Sequence, residues 1–228
     1  MLRHLILFAA TLSSQASPWS EIFNPQNNWQ AAQGVTAMEK NLTILPGHDP
    51  KIFTNATDPK KSGYLETKAH YGDCTVEAEF MIPKGSNSGI YFQGRYEIQI
   101  LDSFGKKEVG SGDMGGIYVR YDANHTPQRF EGHAPKTNAA KAPGEWQKFV
   151  VKFRAPRFDQ DGKLTEKPIF LSVVVNGQEV HRNVTVHGPT NAARRKGFAA
   201  KDAIFIQGDH GPIAFRKFKV TKEDFAKP

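Results

Sequence analysis

The sequence predicts an all-β domain built as a two-sheet sandwich. Three observations carry that expectation. Aromatic and turn-forming residues are both abundant, with 16 Phe, 20 Gly and 14 Pro in 228 residues, a mixture that favours many short strands over helix bundles. Apolar residues recur with period two in segment after segment, the pattern of half-buried strands. No stretch long enough for a helix holds a 3.6-residue apolar period. The long stretches 102–114 and 122–145 read as loops, which suits a sandwich better than an even-stranded barrel.

The first sixteen residues stand apart. Arg3 precedes the apolar run Leu5 to Leu12, and Ser14-Gln15-Ala16 offers small residues to a signal peptidase. Residues 1–16 are therefore expected to be a secretory signal, with a buried first strand as the alternative. Export to the periplasm or outside the cell follows, leaving residues 17–228 as a single domain. Residues 17–60 look irregular, with short apolar pieces at Val35 to Met38 and Leu42 to Leu45.

The pattern sharpens at Cys74, Val76, Ala78, Phe80 and Ile82, which alternate with more polar neighbours. Pro83 to Gly89 is a turn, and Ile90 to Gln93 and Tyr96 to Leu101 resume as strands. Further strands are expected at Gly116 to Tyr121, Trp146 to Arg154, Pro168 to Val175, Ala203 to Gln207 and Ile213 to Val220. Asn176-Gly177 between two apolar runs is a strong hairpin signal. Thr190 to Lys196, bounded by Pro189 and Gly197, is the one candidate for a short helix.

Composition narrows function. A lone Cys74 excludes an intrachain disulfide framework and a cysteine zinc cluster. No apolar run approaches the roughly 18 residues of a membrane helix. The formal charge is +7, yet the densest basic cluster is only Arg194-Arg195-Lys196. Lys148, Lys152 and Arg154 alternate with apolar residues, as on a solvated sheet face, so nucleic acid is not the expected partner. Sequons stand at Asn41, Asn55, Asn124 and Asn183.

Chemistry concentrates in Asn87 to Ser103. Glu97 and Gln99 share one strand face, residues i and i+2 lying roughly 6.6–6.8 Å apart so that both heads can address one ligand, while Tyr96, Ile98 and Ile100 share the other. A merely wet face would look the same. Gln207-Gly208-Asp209-His210-Gly211-Pro212 sets a carboxylate beside an imidazole, an arrangement open to turn stabilisation or catalysis. Asn138, Lys141 and Trp146 precede a strand, with Trp146 either core or a platform for sugar stacking.

Asn87-Ser88-Gly89-Ile90, Tyr96 to Ser103, Gly116-Ile117-Tyr118, Pro143 to Gln147, Arg154 to Phe158, Asn176-Gly177 and Gln207 to Arg216 occur in this order. Over about residues 60–220 the chain thereby resembles the 3-keto-disaccharide hydrolase domain family. The resemblance implies a concanavalin/laminin-G-like jelly roll of two antiparallel sheets with a concave face toward sugar. It also implies an exported bacterial protein that cleaves glucosides already oxidised at carbon 3, by hydrolysis or by elimination.

A conventional glycosidase needs two carboxylates, about 5–5.5 Å apart for retention and 6.5–9.5 Å for inversion. The i+2 partner of Glu97 is an amide, and Asp102 falls on the opposite parity without a bulge. A ketone at C3 lowers the requirement, because it acidifies the hydrogen on C2. One base and donors for the enolate oxygen then suffice. Glu97 is the expected base, with Gln99, His210 and Arg95 as candidate donors and Asp209 beside His210; Gln99, Arg95, Asn87, Asp102, Asn138, Lys141 and Trp146 are the expected substrate contacts. No cofactor is assigned. A divalent metal is left open, because His48, His70, His125 and His133 are present but no pair has ligand spacing. The expected partner is a saccharide such as a 3-keto-glucoside. A non-catalytic saccharide-binding sandwich and a surface interaction module are the rival readings.

Overall fold

The computed structural model describes residues 18–24, 28–47, 51–56 and 58–226, so the expected signal at 1–16 and His48 lie outside the described residues. Among the described residues a five-residue helix, α1 (Pro18–Ile22), is followed by seventeen strands. They are β1 (Gln30–Ala32), β2 (Gly34–Met38), β3 (Asn41–Leu45), β4 (Ile52–Thr54), β5 (Leu65–Glu66), β6 (Cys74–Met81), β7 (Asn87–Phe92) and β8 (Tyr96–Leu101). Next are β9 (Arg120–Tyr121), β10 (Arg129–Phe130), β11 (Gln147–Arg154), β12 (Arg157–Phe158), β13 (Leu164–Glu166) and β14 (Ile169–Val175). The last three are β15 (Gln178–Thr185), β16 (Phe205–Ile206) and β17 (Ala214–Lys222).

Two antiparallel sheets form the sandwich. One has seven strands in the order β1-β4-β17-β6-β11-β14-β15, the other four in the order β5-β16-β7-β8. Their inner faces meet in one core. Val76, Ala78 and Phe80 of β6 and Phe149, Val151 and Phe153 of β11 face Ile90 and Phe92 of β7 and Ile98 and Ile100 of β8. The predicted period-two alternation thus places apolar residues between the sheets and charge outside. On the outer face Lys217 pairs with Glu77 at 2.6 Å and Arg216 with Glu79 at 2.7 Å. Lys148 and Lys152 are exposed there as expected. Arg154 differs, being buried and paired with Glu166 at 2.7 Å.

Three further expectations change. Residues 17–60 are less irregular than their composition suggests, since β2 and β3 pair in full register and β1 and β4 extend the large sheet. Thr190 to Lys196 forms turns instead of a helix. Its backbone is claimed elsewhere: Thr190 and Asn191 donate to the carbonyls of Arg95 and Val119, and Arg194 and Arg195 to that of Gly94. Gly116 to Tyr121 is strand only at its end, although Ile117 bridges Ile98. The Asn176-Gly177 turn is as expected, with φ of 50° and 86° joining Val175 to its partner Gln178.

Candidate active site

The outward face of the four-stranded sheet carries a polar cavity of about 200 Å³, lined by residues that include Glu97, Gln99, Asn87, Tyr91, Gln207 and His210. Register explains the assembly. Tyr91 is the cross-strand partner of Glu97 and Gly89 of Gln99, so these four residues share one face. Gln207, just beyond β16, donates its N–H to the Gly89 carbonyl at 2.9 Å and adds its side chain to that face. Along the free edge of β8, the Tyr118 N–H donates to the Glu97 carbonyl at 3.1 Å. Ile117 packs with Ile98 in the core, which turns Tyr118 toward the cavity.

The face is not merely wet. Glu97 is 2% exposed and Gln99 5%. Burial pushes the Glu97 carboxyl up to about 8, outweighing the Tyr91 hydroxyl hydrogen-bonded to it, which pulls the other way. A carboxyl in that range holds its proton at neutral pH and has the basicity to attack a weak carbon acid once it loses it. Among the described residues lining the cavity, Glu97 is the one carboxylate. Tyr91 is itself fully buried, and its hydroxyl lies within 3.5 Å of Gln207 Nε2, which also donates to Tyr64 at 3.0 Å.

The Asp209–His210 turn sits at the rim. Asp209 Oδ1 lies 2.6 Å from His210 Nδ1, and His210 lines the cavity while both remain partly exposed. A buried amide holds this turn. Asn55 donates to the carbonyls of Gly208 and Gly211 at 2.7 and 3.0 Å and accepts from the Ile213 N–H at 2.8 Å. Asn55 is fully buried, so its sequon has no access to a glycosylating enzyme.

Other expected contacts lie elsewhere. The Arg95 guanidinium is consumed by Asp202 at 2.7 Å and by the carbonyls of Lys196 and Gly197 at 3.1 Å. It therefore braces the loop that brings Asn191 and Ala192 to the cavity wall. Asp102 accepts from the Gly85 and Phe104 N–H groups, and Asn138 donates to the carbonyls of Ser103 and Lys106. Both stabilise turns. Trp146 packs in a separate cluster with Arg216 stacked 4.6 Å above its ring, and Lys141 donates to the Trp146 carbonyl. Asn87 does reach the cavity, and its Oδ1 is buried without a hydrogen-bond partner.

Tyr118, Arg129 and Asn191 complete the lining without having been singled out from the sequence. Only Tyr118 carried a signal, as part of the Gly116-Ile117-Tyr118 motif. Arg194, from the basic cluster, lies over the Tyr64 ring at 4.5 Å, and Arg195 pairs with Glu66 at 3.2 Å. Among the described residues no group of three or more His, Cys, Asp or Glu converges as metal ligands.

A family model described as the 3-keto-alpha-glucoside-1,2-lyase-like domain matches residues 18–221. A crystal structure from Parabacteroides distasonis ATCC 8503, described as a "putative glycosyl hydrolase", is similar with 25% identity and a TM-score of 0.60, covering 86% of this chain and 79% of that one. A second, with the same description and organism, is 18% identical with a TM-score of 0.50, covering 86% of this chain and all of that one. Among curated proteins none matches the sequence.

Proposed function

Since the chain belongs to the 3-keto-alpha-glucoside-1,2-lyase-like domain family, we propose that it cleaves 3-keto-glucosides by elimination across C1 and C2. The observation that carries the reading is a single buried carboxylate of raised pKa in a sugar-sized cavity. One carboxylate cannot run a two-carboxylate glycosidase cycle. It is sufficient for removing a proton already acidified by a neighbouring ketone.

In this reading ionised Glu97 takes the proton from C2, and the electron pair forms the enolate with the C3 oxygen. The enolate re-forms the ketone as the C1–O bond breaks, and the departing oxygen receives a proton through the His210 ring, whose other nitrogen is held by Asp209. The products are an unsaturated keto-sugar and the free aglycone. Addition of water across the new double bond would make the net change a hydrolysis. Gln99 and Asn87 offer amide groups that fix sugar hydroxyls. An exported location, proposed on residues 1–16, suits a protein acting on external saccharides.

The test is incubation with a chemically prepared 3-keto-glucoside and mass analysis over time. The expected first product is the unsaturated keto-sugar, with the unoxidised glucoside left intact. Comparable rates on the two substrates would sink the elimination mechanism, because plain glucosides have no acidified C2 hydrogen.

A further inference from the structure

C2 lies between C1 and C3 on the sugar ring. A ring with its C2 hydrogen over Glu97 must therefore send its C3 oxygen toward one end of the cavity and its glycosidic oxygen toward the other. The two ends differ chemically. Beyond β8 stand Tyr118 and Arg129; beyond β16 stands the turn with Asp209 and His210. Building on the proposed elimination, we infer that Tyr118 and Arg129 form the oxyanion site that holds the C3 oxygen as the enolate develops.

Three observations support the assignment. Tyr118 is hydrogen-bonded in register beside Glu97, and the side chains of both line the same cavity. Arg129 Nη1 donates to the Tyr118 hydroxyl at 3.3 Å, which joins a permanent cation to a neutral donor. Arg129 makes no ion pair with a carboxylate among the described residues. By contrast Arg95, Arg120, Arg154, Arg157 and Arg182 are each paired with one. A guanidinium without a counter-ion beside a sugar cavity is free to meet negative charge that appears only during reaction.

The division of labour follows from proton accounting. The enolate oxygen needs donors that stabilise charge without surrendering a proton, which suits arginine and phenol. The leaving oxygen must acquire a proton, which suits an imidazole backed by a carboxylate. Arg129 thus takes the donor role expected of Arg95, whose guanidinium is locked in the 190–202 loop.

Enolisation can be measured apart from cleavage. The 3-keto form of anhydroglucitol has no glycosidic oxygen at C1 to expel, yet its C2 hydrogen can exchange with deuterium in D2O, read by NMR. Wild-type protein should catalyse this exchange. Arg129→Gln and Tyr118→Phe should each slow it about 10²–10³-fold, the usual cost of one oxyanion donor, with Arg129→Lys losing less. Thermal melting of each variant reports whether it is folded. Exchange by folded Arg129→Gln and Tyr118→Phe at close to the wild-type rate would overturn the inference while leaving elimination standing. Absence of exchange by the wild type would remove elimination itself, and the oxyanion site with it.

Discussion

Glu97 fills the space that a side chain at position 89 would occupy. A Cβ built on Gly89 would lie 2.1 Å from Glu97 Oε1 and 2.9 Å from Cδ. The missing side chain on β7 is thus what lets a carboxyl fold down onto the sheet between Tyr91 and Gln99. Gly89 is not needed for an unusual backbone angle here; it is needed for room.

Gly89→Ala should therefore act on activity more than on folding. Overpacking of this kind costs about 1–3 kcal/mol, whereas moving a catalytic group by about 1 Å can cost 10²-fold in rate. The check is kcat/KM on a 3-keto-glucoside beside a melting curve. A variant as active as wild type would show that the carboxyl position is not critical.

Replacing the base should stabilise the protein. Folding raises the Glu97 pKa from 4.5 to about 8, so the native state keeps a proton that the unfolded chain releases. Its favourable contribution is complete below pH 4.5 and is lost as pH rises toward 8. At pH 7 this penalty is on the order of 3 kcal/mol. Glu97→Gln removes the titration and should melt about 5–10 °C higher at neutral pH. The gap should close near pH 4.5, and turnover should vanish. A variant no more stable than wild type at pH 8 would contradict the burial cost.

Activity should follow the same group. Because the base works only when ionised, the rising limb of kcat/KM against pH should follow an apparent pKa near 8, the value burial gives Glu97. Tyr91→Phe deletes the hydroxyl that lowers this pKa, so its rising limb should move to higher pH. A pH profile that is flat from 6 to 9 would exclude Glu97 as the group that titrates.

Acid should destabilise the fold through His181. This ring is buried against the Gly115 carbonyl at 3.0 Å, and burial lowers its pKa from 6.5 to about 4. Below pH 6.5 the unfolded chain takes up a proton that the native state refuses, so stability falls down to about pH 4. The loss is on the order of 3 kcal/mol. His181→Gln can still donate to Gly115 but does not titrate, and its acid unfolding should be shallower across this window. An equal fall in the urea-derived unfolding free energy from pH 7 to pH 5 in wild type and variant would refute the assignment.

The alternating strands were legible in the chain because period two is a local property. Cys74 to Met81 and Tyr96 to Leu101 needed only their own residues to reveal which face turns to the core between the sheets. The same logic placed Glu97 beside Gln99, and adjacency in sequence alone drew attention to Asp209-His210. Composition obscured β2 and β3, whose apolar pieces are short and interrupted by polar residues.

Which distant groups join Glu97 was decided only by tertiary structure. Arg95 has the right parity and sits two residues away, yet the long-range loop at 190–202 captures its guanidinium. Arg129 stands 32 positions along the sequence and reaches the cavity because β9 and β10 fold the chain back toward Tyr118. Asp102, Asn138, Lys141 and Trp146 lie near the motifs in sequence but serve turns and a separate apolar cluster. Strand periodicity fixes where each side chain points along its own strand, whereas loop closure sets which edge of the sheet a distant residue meets. That closure depends on buried partners such as Asn55 and Thr190, whose hydrogen bonds span 153 and 95 residues and have no local pattern to betray them.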